Sequence, residues 1–128
     1  HLIDEENNNL GTFTTKEYVR YTDLLKTCSI GCLSAIYDVK KLGKVYMPLI
    51  RKRQDYGLWL KILREVKETR GILEPLAVYR TLKNSVSSNK LKAAQYQWKI
   101  YREIEELNIL KSLYYFIHYA VNGVLKYK

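Results

Sequence analysis

Little in this sequence advertises a chemistry by its residue types. Two cysteines, two histidines, two prolines and six glycines are spread over 128 residues. Cys28 and Cys32 are separated by three intervening residues in "TCSIGC", a spacing that matches neither a CxxC redox motif nor a zinc knuckle. They read as buried free thiols, which fits a reducing, cytoplasmic compartment. There is no Gly-rich phosphate loop and no Walker motif. No stretch approaches twenty uninterrupted apolar residues, so no transmembrane helix is expected. The opening "HLIDEENNN" is acidic and polar, without the basic and apolar regions of a signal peptide. Acids are also scarce, 13 against 22 Lys and Arg.

What is present is a core and a positive charge. At 47% hydrophobic the chain can bury the interior of one domain, and disorder is excluded. A net charge of +9 favours an anionic partner, whether phosphate, nucleic acid or acidic lipid. Lys40, Lys41, Lys44, Arg51, Lys52 and Arg53 form one cationic run without an intervening acid, and Arg80, Lys83, Lys90, Lys92, Lys99 and Arg102 form a second. Both runs also suit solvated faces that keep a protein soluble. Twelve tyrosines and two tryptophans could stack on bases or sugars, but most fall at the periodic positions of a core.

The pattern predicts a helix-dominated α+β chain with a small sheet. Residues 1–11 read as a strand and turn, with "NNNLG" as the turn. Thr14 and Glu17 form a capping box opening a short helix with Tyr18, Val19, Leu24 and Leu25 inward. "TCSIGCLSAIYD" reads as a buried strand, Gly31 admitting a close neighbour. "DVKKLG" reads as a helical turn ended by Gly43, and "KVYMPLI" as a loop broken by Pro48. A helix starting at Asp55 carries Tyr56, Trp59, Leu60, Leu63 and Val66 on one face and runs to about Lys67, with Gly71 beyond it. "GILEPLAVYRTL" is a strand candidate, and Ser87 or Ser88 caps the next helix, which shows Leu91, Ala94, Trp98, Tyr101 and Ile104 or Glu105 on one side to about Leu107. A last helix places Leu110, Leu113, Phe116, Ile117, Ala120, Val121 and Val124 on one stripe.

Few residues offer reactive groups. His118 sits in "YYFIHYAV" without a Ser or Cys partner nearby in sequence and reads as a packed or surface histidine. Glu103, Glu105 and Glu106 read as a solvated acidic face rather than a metal site. Asp55 stands at a helix start directly behind Arg51, Lys52 and Arg53. It can serve as an N-cap, as a proton acceptor, or as both.

Four blocks, "TCSIGCLSAIYD", "YMPLIRKRQDYGLWLKIL", "LAVYRTLKNSVSSNKL" and "LKSLYYFIHYAVNGVLK", taken in this order, resemble the carboxy-terminal half of bacterial family 2 inverting glycosyltransferases of the lipopolysaccharide and capsule type. The resemblance covers nearly all of the chain from Ile3 onward. It implies the acceptor-side portion of a GT-A fold, with residues 1–128 as one fragment lacking the nucleotide-binding half. In that family a Glu-Asp pair begins a helix at the active site and its Asp is the proposed general base. By that resemblance Asp55 would be catalytic, with Gln54 where the family usually has Glu, and Arg53 and Arg80 would offset the charge of a nucleotide-diphosphate sugar. The family's Asp-x-Asp motif, which holds Mg²⁺ or Mn²⁺, does not occur in these residues, so the metal ligands and the donor site are expected outside them and the fragment alone is expected to be inactive. The acceptor would be a glycan or lipid-linked sugar, and nucleic acid is not expected.

The rival reading is a non-catalytic basic helical module that docks on a membrane surface or on nucleic acid, which requires the cations to form one exposed stripe with aromatics between them. The enzyme reading requires Asp55, Arg53 and Arg80 to converge. Lys111, Lys126 and Lys128 flank the last apolar stripe, the composition of an interfacial helix, so peripheral contact of a cytoplasmic protein with the inner membrane is expected; packing of that stripe on the helix before it is the alternative.

Overall fold

The core is organised around the helix that carries Asp55. The structure, a computed structural model, describes residues 1–13, 15–82 and 89–125. Helix α3, Gln54–Val66, buries Tyr56, Trp59, Leu60 and Leu63 as the periodicity requires, and Leu58 and Ile62 as well. Its apolar surface therefore extends well around the helix, and the helix runs through the middle of the core. Val66, the last residue of the expected stripe, is partly exposed. The helix ends where Lys67 turns to a φ of 66°, before Gly71 is reached.

Around α3 lie α1 (Tyr21–Lys26), α4 (Lys90–Lys99, continuing into a π-helical turn over Ile100–Ile104) and α5 (Ile109–Leu125). A single turn of helix, α2 (Val39–Leu42), is capped by the Asp38 carboxylate and closed by Gly43 at a φ of 71°, a conformation that costs glycine no Cβ clash. Asn89 caps α4 by accepting from the Lys92 backbone N–H. The expected caps Ser87 and Ser88, and Thr14 of the expected capping box, lie outside the described residues.

Two small sheets edge this body. In one, β2 (Asn9–Gly11), β1 (Leu2–Ile3) and β5 (Tyr79–Arg80) lie in the order β2-β1-β5, with β1 antiparallel to β2 and parallel to β5. In the other, β3 (Tyr18–Arg20) pairs antiparallel with β4 (Glu68–Arg70). Tyr18 and Val19 are therefore strand residues and not the first turn of a helix. Val19 faces Thr69 across the pair and is fully buried, an outcome of a pairing partner some fifty residues away rather than of local pattern. The segment 27–38 forms no ladder. The Ser29 carbonyl is taken by the Thr15 hydroxyl, and Cys32–Ser34 wind into a 3₁₀ turn. Cys28 is half-buried and Cys32 exposed, both as free thiols, so the expected burial fails at Cys32. Of the strand expected over 71–82, only Tyr79 and Arg80 pair, since Pro75 lacks the N–H that a ladder needs.

The C-terminal end of α1 joins these parts. A helix leaves its last four carbonyls without partners, and here each has one. The Asp23 carbonyl accepts from the Thr27 N–H at 3.2 Å. That of Leu24 accepts from the Tyr56 hydroxyl at 3.0 Å, that of Leu25 from the Tyr101 hydroxyl at 2.5 Å, and that of Lys26 from Asn122 Nδ2 at 3.2 Å. The side-chain donors come from α3, the π turn and α5. That turn also carries Glu105 inward: its buried carboxylate accepts from the Tyr21 hydroxyl at 2.5 Å and stands 3.7 Å from Arg64 Nε. Glu105 is thus no part of a solvated face, whereas Glu103 stays outside and pairs with Lys99. A π turn takes more residues per turn than the α-helical spacing assumes, which moves Glu105 to the inner side.

Burial pushes the Tyr101 phenol up to about 12 and raises Tyr21 and Tyr56 as well. These groups donate as O–H in the folded chain, while unfolded phenols ionise near pH 10. Their contribution is therefore complete below about pH 10 and is lost as pH rises toward 12 and beyond. Urea unfolding from pH 8 to 12 should show that decline. Tyr101→Phe, which orphans the Leu25 carbonyl, should cost about 1–3 kcal/mol at pH 8 and make the alkaline decline shallower.

Candidate functional site

The backbone leading into α3 is set by two unusual contacts. Pro48 packs on Gly57 so closely that a Cβ there would lie 2.6 Å from the Pro48 Cγ. Glycine at this position brings the 44–50 loop onto the helix. Arg53 then occupies the N-cap position in the left-handed region, at φ 61° and ψ 31°. Arginine gains nothing sterically there, and its side chain explains how the conformation is held. The guanidinium donates from Nη1 to Gln97 Oε1 at 2.5 Å and from Nη2 to the Tyr119 hydroxyl. It also lies over the rings of Tyr119 and Tyr56, 4.9 and 5.8 Å from their centroids. Arg53 thereby ties the start of α3 to α4 and α5.

Asp55 is the second residue of α3 and is half-exposed. The cap position belongs to Arg53, and no side-chain cap bond is made there. The Asp55 carboxylate takes no hydrogen bond and no ion pair from any described residue. Its structural contribution is the favourable meeting of a carboxylate with the positive end of a helix, about 0.3–1 kcal/mol. Gln54, at the first helical position, is exposed. Arg51 is exposed and Lys52 half-buried on the approach.

Arg80 is placed differently. On β5, its guanidinium donates to the Asp4 and Glu5 carbonyls and to Asn7 Oδ1, holding the turn that joins β1 to β2. Of the residues singled out by sequence, Arg53, Gln54 and Asp55 are brought together at one helix start. The charged groups of Arg53 and Arg80 are each engaged by protein, and a substrate phosphate would have to displace these contacts. Two open cavities lie elsewhere, one of about 470 Å³ between α1 and the start of α5 and one of about 360 Å³ beside Tyr18, Arg20, Asp23 and Glu68. His118 makes an edge contact with Tyr114, ring centroids 4.6 Å apart, and has no nucleophile beside it among the described contacts. Among the described residues no three His, Cys, Asp or Glu side chains come together in a way that could hold a metal ion.

Sequence reasoning missed Gln97 and Tyr119. For Gln97 a signal existed: it lies three residues after Ala94 and four before Tyr101, a polar residue at the spacing of an apolar stripe. For Tyr119 there was none, because the aliphatic stripe of α5 pointed to the opposite face.

Comparison with known proteins gives a consistent class. The chain is 46% identical over 86% of its length to a Bacillus subtilis protein whose name assigns it provisionally to teichuronic acid biosynthesis as glycosyltransferase TuaG, covering 44% of that protein. It is 36% identical over 98% of its length to the Escherichia coli UDP-Glc:alpha-D-GlcNAc-diphosphoundecaprenol beta-1,3-glucosyltransferase WfgD, covering 49% of it. An uncharacterized glycosyltransferase of Haemophilus influenzae is 37% identical over 99% of the chain, which covers 51% of that protein. The chain spans about half the length of the curated relatives it matches. No family model and no solved structure matches it.

Arg53→Lys keeps the charge but cannot serve two acceptors from one plane while lying over both rings. It should destabilise the chain by about 1–3 kcal/mol in urea unfolding, whereas Arg51→Lys, on an exposed side chain, should stay within about 0.5 kcal/mol of the parent. Gly57→Ala should also destabilise, by about 1–2 kcal/mol, because displacing a proline ring outweighs the gain in helix propensity.

Proposed function

We propose that the chain is the acceptor-side half of an inverting family 2 glycosyltransferase with a GT-A fold, and that Asp55 is its general base. The observation that carries the reading is the state of this carboxylate. It sits in the first turn of a rigid, buried helix, half-exposed, and is engaged by no described residue, while the arginine two positions before it is fully engaged in holding the helix start. A base must keep lone pairs for its proton and stand on a fixed frame. Similarity over most of the chain to proteins named glycosyltransferases supplies the reaction class.

In an inverting transfer, the acceptor hydroxyl attacks the anomeric carbon from the face opposite the leaving nucleotide diphosphate. The bond from that carbon to the diphosphate oxygen breaks, the new glycosidic bond forms, and the hydroxyl proton passes to the base. Asp55 accepts that proton from its place in the first turn of α3. Arg53 acts as a positioning residue through Gln97 and Tyr119, and Gln54 lines the approach. Arg80, held by the β1–β2 turn, serves the nucleotide-diphosphate sugar only if the remainder of the enzyme draws it away. Among the described residues no three His, Cys, Asp or Glu side chains come together to hold Mg²⁺ or Mn²⁺.

WfgD and WfaP, both of Escherichia coli, carry names that specify a UDP-glucose donor and a diphosphoundecaprenol-linked acceptor. By analogy the donor here is a nucleotide-diphosphate sugar, the acceptor is lipid-linked, and the parent enzyme works at the cytoplasmic face of the inner membrane in polysaccharide synthesis.

In an enzyme that includes the nucleotide-binding half, Asp55→Asn should lower turnover about 100-fold or more while changing unfolding free energy by no more than about 1 kcal/mol. Gln54→Glu should leave transfer within a few-fold. Full transfer by the Asn variant, read as release of nucleotide diphosphate and as coupled product, would remove Asp55 from the mechanism.

A further inference from the structure

Helix α5 is packed by its less aliphatic face. The residues turned to the body are Ser112, fully buried, and Tyr115, Phe116, Tyr119 and Asn122. Phe116 meets Trp98 edge to face, with ring centroids 5.6 Å apart. The remaining stripe, Leu110, Leu113, Tyr114, Ile117, Val121 and Val124, recurs at three- and four-residue intervals and stands in solvent, with Leu110 76% and Val124 65% exposed. Isolated exposed apolar residues need no explanation, but a contiguous stripe of this length does. Of the stripe expected from the sequence, Phe116 packs on α4 through Trp98, while Leu110, Leu113, Ile117, Val121 and Val124 are exposed.

The electrostatic setting selects the occupant. From Ile109 to the end of the sequence there is no acid, while Lys111, Lys126 and Lys128 are present. Lys111 borders the groove between α1 and α5, which Tyr21, Leu25, Leu107 and Leu110 also line. Lys26 places its Nζ 5.9 Å from the Tyr114 ring centroid, at the edge of the stripe. The nearest acid in sequence that is exposed, Glu106, precedes the helix. No described helix is long and apolar enough to cross a membrane. An aliphatic stripe bordered by lysines, on a helix whose other face packs on the protein, suits one that lies in the headgroup layer.

We infer that α5 docks the protein on an anionic lipid surface, with Leu110, Leu113, Ile117, Val121 and Val124 in the acyl boundary and Lys26 and Lys111 at the headgroup phosphates. This deepens the membrane setting proposed above by naming the surface that makes the contact. Coulombic attraction brings the face to the bilayer, and burial of the aliphatic stripe holds it there.

Flotation of the chain with vesicles of phosphatidylcholine alone, and of phosphatidylcholine with about one quarter phosphatidylglycerol, tests the inference. Binding is expected to the anionic vesicles at low salt, weaker at high salt, and little to the neutral ones. Ile117→Asp with Val121→Asp should lower the partition about tenfold or more, and Lys111→Glu should lower it several-fold, all with an unchanged circular dichroism spectrum. Absence of flotation at low salt, an unaltered partition of the double variant, or a dimer in sedimentation that needs the stripe and forms instead of lipid binding would each overturn the inference. Asp55→Asn should float like the parent, so loss of transfer and loss of lipid contact are read separately.

Discussion

The carbonyl end of α1 is the constraint on which the arrangement of helices depends. A six-residue helix has too few internal hydrogen bonds to stand alone, and burying its C-terminus without partners would cost about 1–3 kcal/mol for each orphaned carbonyl. Tyr56, Tyr101 and Asn122 meet that requirement from three different elements. Each donor can reach only if its own helix is correctly rotated, so satisfying one short helix fixes the orientation of three longer segments. The π turn belongs to the same solution, because it places Tyr101 at α1 and turns Glu105 toward Tyr21.

The start of α3 depends on this frame at second hand. Tyr56 is held by α1, and its ring is one of the two over which Arg53 lies. The first basic run, which suits either an anionic partner or a solvated face, is divided in three dimensions. Lys40, Lys41, Lys44 and Arg51 are exposed, whereas Arg53 is half-buried and engaged by uncharged acceptors and aromatic faces. An arginine serves there because its planar fork meets two acceptors while stacking. The result is a helix start that is rigid at Arg53 and open at Asp55, two residues on.

Amphipathicity misleads in α5 for a reason that lies in its neighbours. A hydropathy pattern identifies the most apolar face, and burial on that face is the expected outcome. Here the inward positions need a hydroxyl for Arg53, an amide for the Lys26 carbonyl and a small residue at Ser112. Those demands put polar and aromatic residues inside and leave the aliphatic ones out. β3 is likewise fixed at a distance: Tyr18 and Val19 suit a strand, but the pairing that makes it one comes from Thr69 and its neighbours.

The amino-acid sequence by itself determined those features that short-range physics decides. These are the α3 stripe of Tyr56, Trp59, Leu60 and Leu63, the Asp38 cap and the Gly43 stop, the presence of helices over 90–104 and 109–125, and an acid near the start of α3. In each, the cause lies within one or two helical turns. Tertiary structure alone decided the pairing of β3 with β4, the parallel partner of β1, the inward turn of Glu105, the face on which α5 packs and the engagement of Arg53 and Arg80. Each of those depends on a group brought from tens of residues away, and a local pattern holds no information about which buried donor or acceptor will be waiting for it.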